Sequence, residues 1–177
     1  MKKFIKELIP YIIIVVVVVL IRTFLVTPGL VNGASMENTL FNKDLVLVNK
    51  IGLKKGINRY DIVVINYNKD TLIKRVIGLP GEKVSYINDE LYINDEKVET
   101  SIDFEYTSDF EMTAGENECI VLGDNRNVSK DSRSIGPVNK KDIKGKVDIV
   151  LFPFKRFGFI KWVKKNWEQD ILLLEKK

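Results

Sequence analysis

Two residues suited to nucleophilic catalysis lie 39 positions apart in a chain of 177 residues that contains no histidine. Ser35 lies in the stretch from Gly33 to Leu40, and Lys74 lies in the stretch from Leu72 to Gly81. A serine hydroxyl needs a base to remove its proton, and the absence of histidine excludes the Ser-His-Asp and Cys-His arrangements. If this chain carries out nucleophilic chemistry, we therefore expect lysine to be the base.

Lys74 must be neutral to act as a base, but an ordinary lysine is neutral in only about one molecule in 2,500 at pH 7. Burial can supply the roughly 3 to 5 kcal/mol of bias that is needed. In a strand from Leu72 to Ile77, alternation puts Lys74 on an apolar face with Leu72 and Val76. The alternative is an exposed strand lysine with Arg75 facing inward.

Ser35 follows Asn32-Gly33, where glycine permits a tight turn and the close approach of a substrate carbonyl. An ordinary exposed serine fits that position as well. Further along, the loop from Gly123 to Gly136 combines acids, arginines and serines, which predicts a hydrogen-bonded scaffold. It could instead be a salt-bridged turn or an acidic calcium loop, although its interleaved basic residues argue against calcium.

Composition excludes several classes of protein. The single cysteine, Cys119, cannot form an internal disulfide, and without histidine the chain offers no zinc ligand set, so we expect no metal and no cofactor. The net charge of +4 comes from scattered lysines rather than a concentrated basic patch, so nucleic acid is not an expected partner. A lipid membrane explains the basic excess more simply.

The N-terminus predicts a membrane segment. The run from Leu8 to Ile21 is uncharged, and counting on to Val26 gives a helix of about 28 Å, close to the roughly 30 Å hydrocarbon core, if Arg22 snorkels. A cleavable signal peptide is the main alternative, although no A-x-A site follows, and a buried strand is a third. Three lysines at positions 2, 3 and 6 predict a cytoplasmic N-terminus, with the rest of the chain outside the membrane.

After the helix-breaking Pro28-Gly29, the chain reads as short strands separated by turns. The predicted strands are the β-branched runs at 45–48, 61–65, 72–77, 119–122 and 147–152. Residues 83–98 suit a small antiparallel hairpin, residues 100–118 suit an exposed insertion or long loop, and the last segment has the period of an amphipathic helix. That helix could lie on a membrane or pack on its own domain.

These patterns predict a mostly β protein: a single transmembrane helix, then an antiparallel β-sheet or barrel-like domain with a small β insertion and a C-terminal helix. The expected division is an N-terminal stub and anchor at 1–27, a β-rich extracytoplasmic domain at 28–160 with an insertion at 83–118, and the amphipathic helix at 161–177.

Taken together, the segments resemble the type I signal peptidases, the membrane-bound serine peptidases that remove signal peptides from exported proteins. The likeness covers about residues 1 to 160, and four ordered stretches carry it: Ser35–Leu40, Asp61–Val64, Lys74–Gly81 and Gly123–Gly136. The short length and single anchor resemble the Gram-positive type.

The resemblance implies that Ser35 is the nucleophile, that Lys74 is the general base, and that Ser129 orients the lysine amine. It also implies that Met36 lines the substrate cleft. The remaining carried-over residues would brace the site through ion pairs: Arg75, Asp124, Asp131 and Arg133.

Two positions depart from the family pattern. The second oxyanion donor of the family comes from the position that is Gly33 here, so this donor would be backbone or water beside the N–H of Ser35. Asn38 replaces the usual proline, which implies a looser turn after Ser35.

The function expected from the resemblance is cleavage of exported precursors after small residues, as in A-x-A, by a Ser-Lys acyl-enzyme mechanism at the cell membrane. Other classes stay open: a cytosolic self-cleaving repressor domain, a non-catalytic anchored β-module, and a narrower peptidase specialised for pilin-type precursors.

Overall fold

A computed structural model of the chain describes residues 2–100, 102 and 104–160. Its helices are α1 at Lys2–Phe24 and the short α2 at Ser132–Ile135. Its strands are β1 Val26–Leu30, β2 Leu45–Asn49, β3 Ile62–Tyr67, β4 Asp70–Gly78, β5 Lys83–Ile87, β6 Glu90–Ile93, β7 Glu96–Lys97, β8 Phe110–Thr113, β9 Glu118–Leu122, β10 Val138–Asn139, β11 Ile143–Phe152 and β12 Gly158–Phe159. The predicted mostly β architecture is confirmed, whereas the predicted C-terminal helix at 161–177 lies outside the described residues.

Helix α1 projects from the β structure. Its window Glu7–Phe24 has a mean hydropathy of 2.3, and none of it is buried against the rest of the protein. The alternative of a buried strand in this region is therefore wrong. The helix is long and apolar enough to cross a membrane, a property that a signal sequence shares.

The larger sheet positions the candidate site. Its strand order is β1-β2-β11-β3-β4-β9-β10, with β12 paired to β11, and the pairs are antiparallel. Pro28 lies within edge strand β1, where a missing N–H is tolerated. Arg75 of β4 pairs with Leu122 of β9, so the loop that follows β9 begins beside Arg75 and Lys74.

The smaller sheet has the order β7-β6-β5-β8. Two-residue turns connect β5 to β6 and β6 to β7, and their residues, Asn88, Asp89, Asn94 and Asp95, all have positive φ. This is the geometry of type I′ hairpin turns, which the Asn-Asp pairs favour. The predicted hairpin at 83–98 is thus present in the structure.

The prediction of an exposed insertion or long loop from Thr100 to Glu118 is wrong in part, because several residues of this segment are paired or buried. Strand β8 pairs with β5, and both Thr107 and Ala114 are buried. Phe104 also packs on the core beneath the small sheet. The acidic sequence of this segment did not predict these contacts. Isolated apolar residues make them, and the segment has no alternating apolar run that would have indicated a strand.

Candidate active site

Ser35 lies on a loop between β1 and β2 that closes on itself. Val31 N–H donates to the Asp44 carbonyl at 2.8 Å, and Lys43 N–H donates to the Val31 carbonyl at 2.8 Å. Inside the loop, Met36 is 1% exposed and Leu40 is fully buried in the cluster beneath β2 and β3. These two side chains fix the turn that carries Ser35 to the sheet.

Three residues of this loop, Gly33, Asn38 and Lys43, have left-handed backbone conformations. Gly33 has a φ of +104°, which glycine adopts without a steric penalty, and Asn38 has a φ of +81°. Proline, whose φ is fixed near −65°, cannot adopt the conformation of Asn38. The departure at Asn38 therefore accompanies a different turn geometry, held by Leu40 N–H donating to the Met36 carbonyl at 2.7 Å.

Lys74 reaches Ser35 from strand β4. Its Nζ lies 2.6 Å from Ser35 Oγ, and the residue is 2% exposed. Leu72 and Val76 belong to one apolar cluster with Val63, which pairs with Lys74 across the sheet. The alternative of an exposed lysine is wrong; Arg75 is also buried, because both faces of β4 are covered at this end.

Burial lowers the pKa of Lys74 from 10.5 to about 8, since desolvation penalises the ammonium, and this outweighs the opposite effect of Asp131 and Asp124. At a pKa of about 8, roughly one amine in ten is neutral at pH 7. When the amine is charged, it donates to Ser35 Oγ. When it is neutral, the hydroxyl can donate to Nζ, which is the arrangement of a general base.

The loop after β9 supplies two buried carboxylates, each paired with an arginine. Asp124 accepts from Arg75 Nε at 2.8 Å and from Arg75 Nη2 at 2.6 Å. Asp131 accepts from Arg133 Nε and Nη2, each at 2.9 Å, and from the Gly123 N–H. These contacts join the four predicted supporting residues into a braced scaffold around Lys74.

Two opposing effects act on the pKa of Asp131. Burial alone would raise it, but hydrogen bonds from Arg133 and from the Gly123 N–H hold the pKa of the carboxyl below its ordinary value. Asp131 also caps α2, accepting from the Arg133 N–H at 3.2 Å. The carboxylate therefore stays ionised at neutral pH while it organises the loop.

Ser129 lies beside Gly123, close to the backbone of Ser35. A Cβ at Gly123 would collide with Ser129 Oγ and with the Ser35 carbonyl oxygen, so only glycine fits between them. Ser129 Oγ is buried and near enough to Asp131 to lower the pKa of that carboxyl, without meeting the geometry of a hydrogen bond. No hydrogen bond joins it to Lys74 within the described part of the chain, so its orienting role stays a prediction.

The backbone around Ser35 is tethered on one side. The Ser35 carbonyl accepts from the Asn125 N–H at 3.1 Å, whereas the Ser35 N–H has no acceptor among the described residues. The Gly33 N–H already donates to Asn42 Oδ1 at 3.1 Å. Ser35 therefore presents a free backbone donor, and Gly33 does not.

A cleft opens beside the Ser35–Lys74 pair. Its lining includes the residues from Gly29 to Gly33, Met36, and the residues from Thr71 to Lys74. Strand β1 forms the adjacent free edge of the larger sheet. The cleft is thus open to an extended chain.

Sequence reasoning gave no role to Thr39 or Arg126, although both connect parts of the site. Thr39 Oγ1 donates to Asp124 Oδ2 at 2.6 Å and accepts from Arg75 Nη2 at 3.0 Å. Arg126 donates to the Gly123 carbonyl and to Thr107 Oγ1, and its guanidinium lies 4.3 Å from the Phe104 ring centroid. Apart from Gly123, the hydrogen-bond partners of these two side chains lie 19 or more positions away in sequence, so no local pattern could reveal them.

A family model and several known proteins are similar to this chain. The family model described as signal peptidase, peptidase S26, matches residues 2–152. The chain is similar to signal peptidase IB of Staphylococcus aureus strain MRSA252, with 37% identity covering 87% of this chain and 94% of the relative. It is also similar to signal peptidase I of Bacillus caldolyticus, with 42% identity covering 85% and 92%. A crystal structure of a signal peptidase I from Enterococcus faecalis V583 aligns at 34% identity and a TM-score of 0.47, covering 51% of this chain and 95% of that one.

Proposed function

The chain belongs to the peptidase S26 family of signal peptidases, and we propose that it cleaves exported precursors by a Ser35–Lys74 dyad. Family membership makes it a serine peptidase that acts on signal peptides. The observation that carries the assignment of residues is the 2.6 Å contact between Lys74 Nζ and Ser35 Oγ at a buried lysine.

In the proposed mechanism, neutral Lys74 removes the Ser35 proton as Oγ attacks the scissile carbonyl. The lysine ammonium then protonates the leaving amine, which departs and leaves an acyl group on Ser35. Neutral once more, Lys74 activates a water that releases the acyl group. Asp124 and Asp131 do not react; paired with arginines, they hold the loop that borders Lys74.

The oxyanion of each tetrahedral intermediate would accept from the Ser35 N–H, which has no other acceptor within the described residues. A second donor at Gly33 requires its bond to Asn42 to break, because the Gly33 N–H is otherwise occupied. A bound water is the other source. One preorganised donor is typically worth about 2.7 to 4 kcal/mol of transition-state stabilisation.

The proposed substrate binds as an extended strand along the cleft, against the free edge of β1. In an extended chain, residues −1 and −3 point to the same side. Both would face the part of the cleft lined by Met36 and by the buried valines of β2, Val46 and Val48, where we expect small side chains to fit best. This is the basis for the proposed A-x-A preference.

We further propose that α1 anchors the enzyme in the cell membrane as a single-pass helix, with its N-terminus cytoplasmic and the β domain outside. The proposed division keeps the anchor at 1–27 and the peptidase domain at 28–160, with the insertion at 83–118. Support comes from the unburied apolar window Glu7–Phe24 and the preceding lysines. An anchor shared by enzyme and precursor raises their effective concentration.

The dyad is tested by single and double substitution. Ser35→Ala and Lys74→Met should each lower kcat for a labelled precursor by at least about 10³-fold, and the double variant should be no worse than either, because the two residues act as a unit. Ser108→Ala and Lys69→Met, at exposed positions, are the matched controls. Multiplicative losses, or a Lys74→Met enzyme within tenfold of wild type, would refute the dyad.

A further inference from the structure

One arginine near the end of the described chain reaches back to the loop that carries Ser35. Arg156 Nη2 donates to the Thr39 carbonyl oxygen at 2.7 Å, and Nη1 pairs with the Asp44 carboxylate. The guanidinium also lies over Phe41, with Cζ 4.2 Å from the ring centroid. Arg156 thus contacts three residues in the second half of the Ser35 loop, more than 110 positions away in sequence.

With these contacts, both the side-chain hydroxyl and the backbone carbonyl of Thr39 are held by hydrogen bonds. Its side-chain oxygen is held from within the protein by Asp124 and Arg75. Its carbonyl is held by Arg156 from the outer side. Thr39 lies four residues after Ser35, and its N–H donates to the Met36 carbonyl at 3.0 Å, so a shift of Thr39 is transmitted to the turn that contains Ser35.

Asp44 links the same arginine to the base of the loop. Its side chain is 3% exposed, accepts from the Phe41 N–H at 2.8 Å and pairs with Arg156. The Asp44 carbonyl accepts from the Val31 N–H, which closes the loop. A planar guanidinium can serve the carboxylate and the Thr39 carbonyl together, because its donors are arranged as a rigid fork.

We propose that Arg156 is a positioning residue that sets the distance from Ser35 Oγ to Lys74 Nζ by fixing Thr39 and Asp44. It makes no hydrogen bond with Ser35 or Lys74 in the described residues, so its effect on the reaction is indirect. A misplacement of about 1 Å can cost about 10²-fold in rate without weakening substrate binding. The inference rests on the proposed role of Ser35 as nucleophile.

The test uses full-length protein in detergent with a labelled precursor. Arg156→Met keeps an unbranched apolar chain over Phe41 but removes both hydrogen bonds, and we expect kcat to fall by about 10- to 100-fold with KM within about threefold of wild type. Arg156→Lys, which keeps the charge but lacks the planar fork of donors, should be intermediate. Lys155→Met, at the exposed neighbouring position, is the control and should match wild type.

Two further measurements separate positioning from a merely structural role. Millimolar guanidinium should restore part of the lost kcat in an Arg156→Gly enzyme, because the ion can occupy the vacated position; a globally destabilised protein would not recover. Thermal unfolding identifies any variant that fails to fold, in which case Arg156→Lys gives the comparison.

Wild-type kcat in folded Arg156→Met, a loss confined to KM, or no rescue would each overturn the proposal. Cleavage that persists in Ser35→Ala would instead refute the proposed function and the inference with it. The two failures are distinguishable, because this one is observed in the Ser35→Ala variant and the others in the Arg156 variants.

Discussion

At the scale of single residues, the decisive property is the protonation of Lys74. The pKa of its amine is lowered to about 8 by desolvation, even though two carboxylates lie near enough to raise it. Each carboxylate is already paired with an arginine, so neither acts as a full counter-ion for the lysine. A lysine base requires such an environment, in which the amine is buried and the neighbouring carboxylates are already paired with arginines.

This pKa predicts the pH dependence of cleavage. The base acts in its neutral form, so kcat/KM should fall about tenfold for each pH unit below about 8 and level off above it. A pH–rate profile on full-length protein with a short peptide substrate that lacks ionisable side chains measures this directly. A rate that still rises steeply beyond pH 10 would indicate a lysine with an ordinary pKa and contradict the assignment of Lys74.

At the scale of elements, the junction between α1 and β1 connects the proposed anchor to the cleft. Lys50 Nζ donates to the carbonyls of Arg22 and Thr23, at 3.2 and 3.0 Å, and so satisfies two acceptors at the C-terminus of the helix. Strand β1 begins two residues after α1 ends and forms one wall of the cleft. Little more than the short strand β1 therefore separates the C-terminal end of α1 from the Ser35 loop of the cleft.

The orientation of α1 can be read from cysteine labelling in intact cells. A membrane-impermeant maleimide should label Lys69→Cys, which is exposed on the β domain, but should label Lys3→Cys only after the cells are opened. The native Cys119 should stay silent because burial raises the pKa of its thiol to about 11. Labelling of Lys3→Cys from outside would reverse the proposed topology.

At the scale of the whole molecule, sheet order brings together three segments that are far apart in sequence. The Ser35 loop precedes β2, Lys74 lies in β4, and the loop from Gly123 begins beside β4 because β9 pairs with it. The segment between β7 and β8 is joined to that loop through Arg126, whose guanidinium lies over the Phe104 ring and donates to Thr107 Oγ1. This segment therefore contacts the loop from Gly123 directly.

The sequence predicted features that depend on neighbouring residues, but it did not predict contacts between segments that are distant in the chain. Five strands of the larger sheet, β2, β3, β4, β9 and β11, and the turn at Asn88-Asp89 were predicted, because alternation and turn preference are local; the edge strand β1 and the two-residue strands β10 and β12 were not. The contacts of Thr39 and Arg156 were not, since each joins segments that only the fold brings together. The left-handed φ of Asn38 was not predicted, because it is a property of the folded loop.

We propose that this chain cuts exported precursors after small residues by means of Ser35. The most direct measurement reconstitutes the full chain with a labelled precursor in one vesicle population and maps the new N-terminus by mass spectrometry. We predict one cut, after a small residue at −1 with another at −3, lost in Ser35→Ala and strongly slowed when −1 is made leucine. A cut of equal rate in Ser35→Ala would show that Ser35 is not the nucleophile, and a cut indifferent to the residue at −1 would show that the enzyme does not select small residues.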